Sequence, residues 1–262
     1  KLKDRVLLNP NPTLPNQYHE RTGHILDPKN NLIQDEITEL TKYAQDHKMK
    51  INQAKTKVML FNQSRTIDVL PALVINEDTH LETVDEIKLF GVIVRNDMKL
   101  HSNTRQIISK CYSRMWMLRN LKKYGANEEQ MFETYIQQIR SISEMACPVW
   151  NGAITQVEVS GLERVQRTAL AIIRGVNHTN YKEALEYFKI YSLKARREAL
   201  CLKFAIRAYR NPKFSKWFPL NESTMNTRGQ TRQLQPIRSR TARFGKSPIP
   251  YPNELLNTHL MK

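Results

Sequence analysis

The sequence predicts an α+β fold: a small antiparallel sheet with one helix, then a mainly α-helical region, then a largely irregular basic tail. Three observations predict it. Short apolar runs suited to strands (KVMLF at 57–61, LVI at 73–75, IKLFGVIV at 87–94) fall in the first hundred residues. Between 101 and 210 the apolar residues recur at helical spacing. Beyond 210, large apolar residues thin out while Pro, Arg, Thr and Gln accumulate.

Taken in order, residues 1–34 read as a loop or insertion. Pro10, Pro12 and Pro15 block regular helix and push the residue before each to extended geometry. His19, Glu20 and His24 lie here, too few ligands for a metal site and expected to be solvated. Residues 35–48 read as an amphipathic helix with Asp35 as its cap and Ile37, Leu40, Tyr43 and Ala44 at helical spacing. Strands follow at 57–61, 73–75 and 87–94, the last broken by Gly91, which marks a bulge or a close backbone approach. The helical part opens near His101, with Ile107, Cys111, Met115 and Leu118 on one face. A second helix covers 128–146 and ends before Pro148. A third covers 157–174 and closes at Gly175. A short helix is predicted at 182–188 and a longer one at 193–210, stopping before Pro212.

The 262 residues carry 41 Lys and Arg against 25 Asp and Glu, a net of +16. The excess is uneven. Residues 1–100 hold 14 basic and 14 acidic side chains, 101–210 hold 18 and 9, and 211–262 hold 9 and 2. A basic excess confined to the later segments points to a polyanion-binding surface there, with a generally basic solvated protein as the plainer alternative. Cys111, Cys147 and Cys201 have no CxxC spacing, so neither a disulfide framework nor a zinc module is expected. They fit buried core thiols and a reducing compartment, hence an intracellular location, cytoplasm or nucleus. No run of 18 apolar residues is present, so no membrane partner is expected. The chain opens on Lys1, shows no signal-peptide pattern and is expected to be part of something longer.

Four segments, in order, carry a family resemblance: KMKINQAKTKVMLF, IKLFGVIVRNDMKLHSNT, VWNGAITQVEVSGLERVQRTALAIIRG and RTARFGKSPIPYPNELLN. Together they resemble the C-terminal part of non-LTR (LINE-type) retrotransposon reverse transcriptases, from about residue 36 to 256. The resemblance implies that 35–100 is the end of a polymerase palm with a primer-grip-like hairpin. It implies that 101–210 is a helical thumb with its extension, and that 211–262 is a basic arm. Within the first segment, Asn52 can bind its own turn backbone. By resemblance Lys55, at the mouth of the next strand, contacts nucleotide phosphate or the pyrophosphate leaving group; on its residues alone it is a solvated lysine in a turn. Leu89, Phe90 and Gly91 correspond to the primer grip, where a glycine lets a primer backbone approach without a Cβ in the way. The family commonly has Leu-Gly where this chain has Phe90-Gly91. Read without the family, the segment is a buried hairpin with Leu89 and Val92 as core.

The implied partners are an RNA template and a DNA primer, together with the upstream palm and fingers of the same polyprotein. A thumb grips a duplex mostly by its backbone. Arg196, Lys203, Arg207 and Arg210 fall on one helical stripe and Arg114, Arg119, Lys122 and Lys123 form a second cluster; both are phosphate contacts or simply solvated faces. Trp116 and Trp150 are expected in helix packing. Arg228, Arg232, Arg238, Arg240, Arg243 and Lys246 would make a flexible arm adding nonspecific affinity. The chain contains no adjacent pair of aspartates. Polymerase chemistry needs carboxylates to hold two metal ions, so no metal site is expected in this chain, Mg2+ belongs to the intact polymerase, and the chain alone should not polymerise. The rival expectation is a noncatalytic helical nucleic-acid-binding or protein-interaction module derived from a retroelement.

Overall fold

A computed structural model of the chain describes residues 5–8, 23–25, 32–61, 73–75, 80–177, 180–220 and 234–260. It is α+β, and it divides into two compact units, residues 1–102 and 103–262.

In the first unit, strands β1 (Arg5–Leu8) and β2 (Gly23–Ile25) precede helix α1 (Leu32–Asp46) and strand β3 (Lys57–Phe61). They continue with β4 (Glu82–Thr83), β5 (Glu86–Leu89) and β6 (Val92–Arg95). The first four strands form one sheet in the order β2-β1-β3-β4, and β5-β6 is a separate hairpin. Two expectations are corrected. Residues 1–34 are not all loop, because Arg-Val-Leu-Leu ends before the first proline and is free to pair, Val6 opposite His24 and Leu60. Nor is the sheet purely antiparallel: β4 runs parallel to β3, with Lys57 opposite Glu82 and those two side chains ion-paired.

Leu73–Ile75 is also not a strand of the sheet. Val74 forms only a bridge with His80. Its backbone is held by the Gln34 side chain instead, whose amide donates to the Val74 carbonyl at 2.8 Å and accepts from the Val74 N–H at 2.9 Å. Leu73 and Ile75 still enter the core, with Ile33, Ile37, Val58 and Leu81. Helix α1 begins three residues before Asp35, which therefore sits in its first turn, where a carboxylate favours the helix dipole.

The second unit is helical. Its helices are α2 (His101–Lys123), α3 (Glu128–Thr134), α4 (Ser141–Glu144), α5 (Cys147–Trp150), α6 (Gln156–Arg174), α7 (Tyr181–Tyr187) and α8 (Leu193–Tyr209). Ile107, Cys111, Met115 and Leu118 form the buried face of α2, as their spacing predicts. The single helix expected over 128–146 is three pieces: α3, a widened π-helical turn (Tyr135–Arg140) and α4. The chain then breaks at Ala146, in the left-handed region (φ 51°), just before α5 opens with Pro148 in its first turn. Reciprocal capping boxes, Asn127 with Gln130 and Thr155 with Glu158, start α3 and α6. Gly175, at φ 56°, ends α6.

A chain of buried polar groups is paired, whereas the two Nη atoms of Arg197 have no hydrogen-bond partner among the described residues. Tyr135 donates to Gln166 at 2.7 Å, Gln166 donates to Tyr181 at 3.0 Å, and Tyr181 donates to Glu163 at 2.5 Å. Burial, then the bond to Glu163, holds the Tyr181 phenol well above its ordinary range. All three cysteines are free and buried, and burial pushes the Cys111 thiol up to about 12.

The tail is more ordered than its composition predicts. A 3-10 segment (Pro212–Trp217) leads to two further helices, α9 (Ala242–Gly245) and α10 (Pro250–Leu260). Phe218, Leu234 and Leu256 close a core with Ala205 and Ala208 of α8. Phe214 and Trp217 pack against the same core, and Asn253 and Asn257 bind the backbone around Leu234. Arg228 and Arg232 lie outside the described residues.

Candidate functional site

The 3-10 turn Gln53–Lys55 leads into β3, and Asn52 caps it by accepting from the Lys55 N–H at 3.2 Å. That is the corner expected from the sequence. The Lys55 side chain is exposed at the strand entrance.

Next along the chain, β5 and β6 are joined by a two-residue turn. Phe90 (φ 48°) and Gly91 (φ 89°) occupy its two central positions, both at positive φ, as tight hairpins of this length require. Glycine accepts that conformation freely; a bulky residue does not, so Phe90 carries strain. Its ring is 87% exposed and stands at the hairpin tip. Ile87 and Val92 are the buried pair of the hairpin, while Leu89 is only half-buried, which corrects the Leu89–Val92 core.

The other end of the hairpin is pinned by charge. Arg95 donates to Glu86 at 2.6 Å and to Asp97 at 3.2 Å, and Ser102 donates to the same Glu86 oxygen at 2.7 Å. The Ser102 hydrogen bond, then that of Arg95, holds the Glu86 carboxyl below its ordinary value of 4.5. Burial works to raise Asp97, but hydrogen bonds from the Lys99 backbone and Arg95 outweigh it and leave Asp97 lowered.

The basic residues of the second unit separate into two groups. Several hold the fold. Arg114 donates to Gln138 at 2.6 Å. Lys122 donates to the Ile172 carbonyl at 2.6 Å, satisfying an open carbonyl in the last turn of α6. Arg196 binds Glu144 at 3.2 Å, and Glu144 also binds Arg140 at 3.3 Å. Arg174 lies 3.9 Å over the Tyr187 ring and reaches Glu128 at 3.4 Å. Arg197 is fully buried, with its Nε donating to Asn151 at 3.0 Å and its guanidinium 5.8 Å from the Trp150 ring. Burial holds Arg197 below its ordinary range.

The others face solvent. Lys203, Arg207 and Arg210 run along the outer side of α8 without Arg196, and among the described residues none of them meets a carboxylate. Arg119 and Lys123 are exposed on α2. Arg238, Arg240 and Lys246 are exposed in the tail, and Arg243 lies on α9. Each of the two basic clusters expected from the sequence is therefore split, because Arg114, Lys122 and Arg196 are tied to groups of their own fold.

Trp150 is fully buried, as expected, whereas Trp116 is 58% exposed, against the packing role expected for it. The signal was available: Trp116 lies opposite Ile107 and Leu118 on the helical wheel. Among the described residues no group of three His, Cys, Asp or Glu side chains comes together to hold a metal ion, and no helix is long and apolar enough to cross a membrane. No family model, curated protein or solved structure matches the chain.

Proposed function

We propose that this chain grips nucleic acid through its phosphates, as the C-terminal part of a non-LTR retrotransposon reverse transcriptase. The helices from α2 to α8 serve as the thumb and its extension, and the β5–β6 hairpin serves as the primer grip with Phe90 and Gly91 at its tip. The observation that carries the reading is the outer stripe of α8. Lys203, Arg207 and Arg210 follow at intervals of four and three residues, exposed, on one side of a helix whose other side is core. Such a stripe holds a polyanion by charge without reading sequence. The four sequence segments quoted above add the family. The intact polymerase would draw its Mg2+ from carboxylates upstream; Lys55 is the one residue here assigned to nucleotide or pyrophosphate.

The experiment is a salt titration of binding to an RNA–DNA hybrid by fluorescence anisotropy. Affinity should fall steeply and log-linearly with salt, because each neutralised phosphate releases counterions. A flat salt dependence would remove the reading. With primed template, deoxynucleotides and Mg2+, no extension is expected from this chain by itself.

A second reading has one observation in its favour, the lack of any adjacent aspartate pair in the chain. It makes the protein a noncatalytic RNA-binding or interaction module of retroelement origin. The coding sequence upstream separates the two, since an open frame with an aromatic-x-Asp-Asp motif belongs only to the polymerase.

A further inference from the structure

Helix α2 carries six Lys and Arg side chains and no carboxylate in its 23 residues. Arg105, Tyr112, Trp116, Arg119 and Lys123 follow one another at intervals of seven, four, three and four residues. At 3.6 residues per turn these intervals confine them to a band roughly 60° wide and about 27 Å long. The band is turned away from the face that buries Ile107, Cys111, Met115 and Leu118. All five side chains are exposed, Trp116 by 58% and Tyr112 by 36%. Arg105, Arg119 and Lys123 have no hydrogen-bond or ion-pair partner among the described residues.

We propose that this band takes single-stranded nucleic acid, with unpaired bases stacked on Trp116 and Tyr112 and phosphates on Arg105, Arg119 and Lys123. The inference rests on the nucleic-acid reading above and extends it from duplex to unpaired strand. The rings decide the occupant. Inside a duplex each base is covered by its neighbours and offers the protein only its edges and backbone, so a flat exposed indole gains little there. An unpaired base has an open face, and stacking on an aromatic ring is indifferent to which base it is. The charges agree, because cations stand at both ends of the aromatic pair and nothing acidic interrupts the helix.

The test uses the full 262-residue chain with labelled oligonucleotides of about twelve nucleotides, a length within the range one such surface spans. Three probes are compared: single-stranded RNA, single-stranded DNA and an RNA–DNA hybrid. Trp116→Ala should weaken single-strand binding by about 5- to 150-fold, the usual effect of removing a stacking ring. Trp116→Phe should recover most of it, and Arg119→Gln should lower the salt dependence of single-strand binding. Single strands should also quench the tryptophan fluorescence of the wild type more than that of Trp116→Phe. Hybrid binding should be nearly unchanged in the Trp116 variants. Unchanged melting temperature in Trp116→Phe and Arg119→Gln keeps the test valid even if Trp116→Ala folds poorly. If hybrid binding survives and single-strand binding ignores Trp116, this inference is overturned and the duplex reading stands. Equal losses for hybrid and single strands also overturn it. If no probe binds, both readings fall. Comparison of the RNA and DNA arms tells which strand is preferred.

Discussion

Asn257 closes both backbone groups of Leu234: its Nδ2 donates to the Leu234 carbonyl at 3.1 Å and its Oδ1 accepts from the Leu234 N–H at 3.1 Å. The pair sits in the core that fastens α10 to α8, with Leu234 wholly buried. Replacing Asn257 by Ala strands one buried donor and one buried acceptor, each costing about 1–3 kcal/mol. Urea denaturation of Asn257→Ala should show a loss in that range or above it. Asn257→Asp should also be destabilising, since its carboxylate would face the Leu234 carbonyl. A wild-type midpoint for both variants would show that the tail contributes nothing to the fold.

Gly152 allows the same tail to approach. A Cβ built there would lie 2.6 Å from the Lys246 carbonyl oxygen and 2.7 Å from the Tyr251 ring. Neither a backbone oxygen nor a ring wedged beside Asn151 can give way easily. Gly152→Ala should therefore cost about 1–3 kcal/mol through overpacking. Limited proteolysis checks it: cleavage between 211 and 262 should become faster while the helices around α2 and α6 stay protected.

The hairpin should loosen in acid. The Glu86 carboxyl is held below 4.5 by Ser102 and Arg95. A lowered carboxylate contributes stability that is fully present above its unfolded value and is lost as pH falls through its folded one. The window thus lies below about 4.5 for Glu86. The effect is small because the pair is partly exposed and screened by solvent. Protection factors of the amides of residues 86–95, which remove the intrinsic pH dependence of exchange, should fall below about pH 4.5 in the wild type and change less in Glu86→Gln.

Lys122 and Lys203 are both exposed lysines, but they should respond differently to substitution. Lys122→Ala removes the donor to the Ile172 carbonyl at the end of α6, and should lower stability by about 0.5–1.5 kcal/mol, the usual net worth of a hydrogen bond. It should leave the salt dependence of hybrid binding nearly unchanged. Lys203→Ala should do the reverse, with normal melting and a salt slope reduced by about one unit if it neutralises one phosphate. Swapped results would assign the contact to α2.

How far the sequence carried these conclusions depends on where each partner lies. Ile107, Cys111, Met115 and Leu118 are legible because a helix brings its own residues together by spacing alone. Trp116 was legible in the same way, although bulk and apolarity argued for packing. Val74 was not, since its partner is the Gln34 side chain, forty positions earlier, rather than a neighbouring strand. Leu234 was not either, because one leucine in a polar stretch gives no periodicity and its pocket is assembled from α8 and α10. The basic clusters were legible as composition. That Lys122 and Arg196 are tied to Ile172 and Glu144 depends on distant chain segments meeting.

The π-helical turn has a consequence for which residues can share a face. Met131, Tyr135, Ile139 and Ser143 are all buried, at a strict interval of four. In an unbroken α-helix each such step advances by about 40°, so the fourth residue would have swung about 120° from the first. The wider turn at Tyr135–Arg140 takes up that drift and keeps all four pointing inward. Deleting one residue from the turn would restore regular winding but rotate Ser143 and Glu144 out of register, and with Glu144 the carboxylate that gathers Arg140 and Arg196. The extra residue therefore acts as a clutch between two stretches of helix, letting each keep its own contacts.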